Sequence, residues 1–163
     1  MEKIENLSLA MLSSLEEYDI SKMTMAQICD KKGIRCFESN FPLDSYGYIY
    51  KQGNQTSINI NKDIPPTQKE VVIASFLGAY SLNMLRDSER LFLNNSDFKI
   101  FNKHYEFGLH LYFNKKIIDG ELKKEQVTTL RRLNSNIIKL NEIDRISKKL
   151  NISLTHTFNY FNI

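Results

Sequence analysis

The stretch PPTQKEVVIASFLGAYSL, residues 65–82, decides the fold. Two prolines stop whatever precedes them, and Thr67 stands three residues before Glu70, the spacing of a capping box. From Val71 to Leu82, apolar or small side chains then fall on almost every side of a helix, and a helix without a polar face belongs at the centre of a domain. The run from Val71 to Tyr80 is interrupted by Ser75 and Gly78 and is far shorter than the ~20 residues of a membrane-spanning helix. The pattern predicts a buried helix from about Thr67 to Arg86, with Val72, Phe76 and Tyr80 enclosed and Ser75 less so.

Upstream, the period changes from helical to alternating. Ile34 to Phe37, Tyr46 to Lys51 and Thr56 to Asn61 are short and rich in β-formers, and Gly53-Asn54 between the last two reads as a tight hairpin turn. Thr24 and Gln27 form another capping pair for a helix that ends near Gly33, and Glu2 to Glu17 places Ile4, Leu7, Met11, Leu12 and Leu15 on one helical stripe. Downstream, a helix covers Asp97 to Ile118 and is closed by Asp119-Gly120. Glu121 to Ile163 reads as helix with breaks near Leu140-Asn141 and at Asn151-Ile152-Ser153. The predicted class is α+β: a small antiparallel sheet of about three strands packed on a mostly helical body.

At 163 residues, 42% hydrophobic and with ten Phe and eight Tyr, the chain has the material for one sizeable core, which excludes disorder of the whole. The N-terminus mixes Glu2, Lys3 and Glu5 and has no basic start followed by an apolar segment, so no signal peptide and a cytoplasmic location are expected. The net charge of +3 is uneven: Lys115 to Lys149 carries ten basic residues against five acidic ones. Those helices are the surface a nucleic acid would use, although solvated amphipathic faces account for the same pattern. The short helical pair around Asn151 to Ser153 has no Lys or Arg from Leu154 onward, which argues against DNA reading there.

Chemistry-bearing residues are sparse. His104 and His110 are six apart and so lie on different faces of a helix, unlike the i, i+4 pair of a zinc helix, and His156 is remote from both in sequence. Cys29 and Cys36 are too few for a disulfide framework or a four-cysteine zinc site and read as buried thiols. No phosphate loop, dinucleotide glycine pattern or nucleophile elbow is present.

One order of features carries a resemblance. A helix ends in Gly33-Ile34 and a strand; a strand with Gly47-Tyr48 follows, then Ile58-Asn59-Ile60-Asn61, then Ala74-Ser75-Phe76-Leu77-Gly78-Ala79-Tyr80. Later come Phe107-Gly108-Leu109-His110-Leu111-Tyr112 and Asn151-Ile152-Ser153 with Phe158 and Phe161. This resembles the ImmA/IrrE family of zinc metallopeptidase-like proteins, whose central helix carries Ala-His-Glu-Leu-Gly-His. The resemblance covers about residues 23 to 163. It implies a zincin-like minimal core at 23–120, an N-terminal helical extension at 1–22 and a C-terminal helical region at 121–163 packed on the core, in a single domain.

The departures bear on function. The family's two zinc histidines fall at Ser75 and Ala79, and its general-base glutamate at Phe76. Its further acidic ligand falls near Phe101. Alanine and phenylalanine offer no donor atom, serine is a poor zinc ligand, and no residue remains to take a proton from water. The resemblance therefore implies no metal, no cofactor and no catalysis: a pseudoprotease that binds another protein. By family analogy the partner is a helix-turn-helix repressor of a phage or mobile element, and the chain an antirepressor or co-regulator of transcription. Thr56, Ser57, Ile58, Asn59, Ile60 and Asn61, matching the strand at the edge of the family's cleft, are the expected contact by strand addition. The alternatives are a DNA-binding module on the basic helices of 115–149 and a metallopeptidase with a non-standard site at His104, Glu106 and His110.

Overall fold

The computed structural model describes residues 2–99, 102–134 and 137–162. Its fold is α+β, with seven α-helices and a four-stranded mixed sheet among those residues. Helix α1 (Glu2–Ser13) and a short 3₁₀ turn (Ile20–Lys22) lead into α2 (Met25–Lys31), whose capping box forms as its spacing predicts. Strands β1 (Ile34–Ser39), β2 (Ser45–Gln52) and β3 (Gln55–Asn61) precede the central helix α3 (Pro66–Ser81). A fourth strand, β4 (Arg90–Asn94), precedes α4 (Lys103–Ile118), and α5 (Lys124–Arg132), α6 (Ile137–Leu150) and α7 (Leu154–Phe161) complete the chain.

The strand order is β1-β3-β2-β4, with β1 parallel to β3 and the other two pairings antiparallel. The sheet is therefore mixed rather than antiparallel, and it has one strand more than expected. Gly53 turns the β2–β3 hairpin at φ +56°, a left-handed conformation that glycine adopts without a Cβ penalty. One face of the sheet covers α3, sending Ile34, Ile49, Ile58, Ile60 and Leu93 into the core.

α3 is the axis of the molecule. Val71 through Ala79 are buried without a break, as expected of a helix with no polar face. The helix ends at Ser81 rather than Arg86, and Tyr80 is 37% exposed rather than enclosed. It lies at the last turn, where it lines a cleft beside the hairpin with Lys51 and Thr56. α4 crosses α3 and brings Tyr105, Phe107, Leu111, Tyr112 and Phe113 to the same core, on which Tyr160 stacks at 4.1 Å from Phe113. Met11, Leu12 and Leu15 of the N-terminal segment belong to that core too, whereas Leu7 faces outward.

Two further expectations need correction. Thr67 and Glu70 form no capping box; Pro65 and Pro66 start α3, and Glu70 instead accepts the Met25 backbone N–H at the start of α2, at 2.9 Å. The predicted break at Leu140-Asn141 does not exist, because α6 runs through it with Ile143, Ile146 and Leu150 inward. The C-terminal break at 151–153 is present, with Asn151 at φ +50°.

Candidate functional site

Ser75, Phe76 and Ala79, singled out above by the resemblance, have no exposure to solvent. At Ser75 the closure is by α4. A Cβ on Gly108 would lie 2.6 Å from the Ser75 nitrogen and Oγ, and one on Gly78 would lie 2.6 Å from the His104 carbonyl oxygen. The two helices thus meet backbone to backbone at a pair of glycines. The Ser75 hydroxyl donates to the Val71 carbonyl at 2.8 Å, a bond within its own helix. Phe101 lies outside the described residues.

The non-standard set His104, Glu106 and His110 is not brought together. His104 is buried with neither ring nitrogen partnered, and desolvation lowers its pKa against the opposing pull of Asp97. His110 faces α1 instead, 3.8 Å from Glu5, and burial pushes its pKa down to about 4 with the Arg131 charge acting the same way. Among the described residues, no three His, Cys, Asp or Glu side chains converge as a metal site. Cys29 is buried and Cys36 half-buried; both thiols are free, and hydrogen bonding to Cys36 followed by burial holds the Cys29 thiol well above its usual range. Such a thiol is unreactive.

His156 is better placed than its isolation in sequence suggests. Its Nδ1 is 2.6 Å from the Tyr105 hydroxyl and its Nε2 is 3.0 Å from the Gln68 carbonyl oxygen, while Asn159 donates to the same hydroxyl at 3.2 Å. The Gln68 oxygen can only accept, so the histidine proton sits on Nε2 and Nδ1 accepts from Tyr105. This neutral tautomer agrees with burial driving the His156 pKa to about 4 and that of Tyr105 up to about 12. The network pins α7 to the starts of α3 and α4.

Thr56, Ser57, Ile58, Asn59, Ile60 and Asn61 form β3, which lies inside the sheet between β1 and β2 rather than at an edge. Both sides of its backbone are paired, so it has no ladder to offer a partner, and the free edges belong to β1 and β4. The basic helices also differ from the expected patch. Lys115 and Lys116 pair with Asp119 and Glu121, Arg131 with Glu5, Arg145 with Glu142, and Lys148 with Asp144. Lys139 is buried and reaches Asn162.

The feature that sequence reading missed is the uncovered face of the sheet. In register, Phe37, Asn59, Tyr48 and Phe92 form one outward row across all four strands, and Arg35, Ser57, Tyr50 and Arg90 form the next. The alternation in Arg90-Leu91-Phe92-Leu93-Asn94 was the available signal for its fourth strand. Among the described residues no helix is long and apolar enough to cross a membrane. No protein-family model matches the chain, and no curated protein matches it.

Proposed function

We propose that this chain is a catalytically inactive ImmA/IrrE-like protein that acts by binding another protein, with a helix-turn-helix repressor of a phage or mobile element as its partner. The observation that carries the reading is the complete burial of Ser75, Phe76 and Ala79, with Ser75 against α4, at positions where a peptidase of that kind needs an open, polar cleft. The choice of partner is by analogy with the resembled family. The contact moves from β3 to the free edge of β1. That edge is the longer of the two, whereas β4 is blunted by the register shift opposite Ser45 and Gly47 and by Asp97, which accepts the Asn94 N–H at 2.6 Å.

The experiment is a titration of a helix-turn-helix repressor bound to its operator with the purified protein, followed by hydrogen exchange of the complex. Derepression should track stoichiometric amounts of protein and reverse on dilution, the repressor chain should stay intact, and amides of Ile34–Ser39 should become protected. Repressor fragments, or full effect at far substoichiometric amounts, would overturn the reading. Bound zinc should remain well below one equivalent after dialysis; a full equivalent would refute the inactive assignment.

A further inference from the structure

We infer that the open face of the sheet is a binding platform for single-stranded nucleic acid. The inference rests on the register of four strands and is independent of any family resemblance. Phe37 and Phe92, at the two ends of the aromatic row, are 50% and 49% exposed, although a phenylalanine gains nothing from water. Between them, Tyr48 packs on Phe92 at 5.3 Å and on Phe41 at 5.9 Å, so the rings are held in place rather than free to collapse. Four strands at ~4.8 Å spacing make the row ~14 Å long. A four-stranded sheet with exposed aromatics of this extent takes two or three stacked bases.

The second row supplies charge. Arg35 and Arg90 flank Ser57 and Tyr50, and the Arg90 guanidinium lies 4.9 Å from the Tyr48 ring centre and 5.8 Å from that of Tyr50. No carboxylate projects from either row. Glu38, the acidic residue of β1, faces the helices and pairs with Lys69 at 2.8 Å, and Asp87 beside the hairpin is turned onto the Gly53 N–H. A cleft of about 330 Å³ opens beside the second row toward the hairpin turn, lined in part by Arg35, Tyr50, Ser57 and Gln55. Within the aromatic row, the Asn59 amide donates to the Tyr48 hydroxyl at 3.4 Å, which ties the two middle strands together on that face.

Cationic, acid-free and aromatic, the face matches a polyanion whose repeating unit is a flat ring. Every base has a π-face, so stacking is tolerant of sequence, and phosphates answer the arginines. A duplex keeps its bases stacked on one another and cannot lay them on the sheet, so it should bind more weakly than a single strand.

The test uses the full chain and fluorescence anisotropy with labelled oligo(U) and oligo(dT) of about 12 nucleotides, within the ~4–16 that a single-strand-binding domain covers, and a duplex of equal length. Single strands should bind, with affinity falling as salt rises, and Phe37→Ala or Phe92→Ala should each cost about tenfold. Arg35→Glu with Arg90→Glu should abolish binding. Phe92→Tyr, which keeps the ring, and Lys148→Glu on α6, which reverses one charge elsewhere, should leave it intact. The inference fails if no single strand binds at protein concentrations up to about 100 µM, the weak end of non-specific affinity. It also fails if the duplex binds as tightly, or if Lys148→Glu weakens binding as much as the face variants do. Self-association lost in Phe92→Ala, without oligonucleotide binding, would assign the face to a second copy of the chain and overturn the inference.

Discussion

Gly108 carries a prediction whose sign runs against helix propensity. In the interior of an exposed helix, alanine is better than glycine by about 1 kcal/mol. Here the added methyl would sit 2.6 Å from the Ser75 nitrogen, a backbone atom of α3 that cannot turn aside. Gly108→Ala should therefore lower the urea midpoint, by the ~1–3 kcal/mol typical of overpacking, and an unchanged midpoint would mean that the two helices separate freely. Phe76→Ala on the same helix should cost about 3–5 kcal/mol, since the ring is wholly enclosed. The histidines set the response to acid. His110 and His156 are held near pKa 4 in the fold, chiefly by burial, against about 6.5 in an unfolded chain. Protons then bind the unfolded state first. The stabilising contribution is complete above about pH 6.5 and is lost as pH falls toward 4, on the order of a few kcal/mol for the pair. Glu70, whose pKa burial raises, works in the opposite direction. Urea melts between about pH 7 and pH 4.5 should show the loss, and His156→Gln should flatten it.

At the scale of elements, the interior place of β3 changes what a proline does. Ser57 and Asn59 each pair with β1 on one side and β2 on the other, so Ser57→Pro or Asn59→Pro removes a ladder bond at the middle of the sheet. Both variants should express as unfolded or aggregated chains, and a cooperative wild-type-like melt from either would contradict the strand order. Signals that close within a few residues were legible in sequence: the Thr24–Gln27 capping box, the Gly53 hairpin turn and the helix stop at Gly120 all form. Signals completed by distant residues were not. The spacing of Thr67 and Glu70 has the form of a cap, yet the Glu70 carboxylate goes to Met25, a residue from another helix. The parallel pairing of β1 leaves no mark on its own residues, and without it Thr56 to Asn61 reads as an edge. The absence of a zinc-ligand pair at Ser75 and Ala79 is plain from sequence, while the aromatic and arginine rows exist only once four registers are known.

Across the whole molecule, five of the ten basic residues of 115–149 pair with carboxylates, but four of those carboxylates belong to the same segment, so its excess of positive charge stands and only Glu5 offsets it from outside. The order β1-β3-β2-β4 also has a kinetic side. Strand β1 has no neighbour except β3, and β4 none except β2, so each outer strand depends on one strand of the central hairpin for all its pairing. That hairpin closes a two-residue loop, whereas β4 must return across the whole of α3 to reach β2, a slower search. The hairpin should thus be the folding nucleus and β4 a late arrival. Gly53→Ala, which forces a side chain into φ +56° without touching any neighbour, should slow refolding in proportion to the stability it removes. Leu93→Ala, in the outermost strand, should leave the refolding limb of the chevron in place and steepen nothing but the rate of escape from the native state.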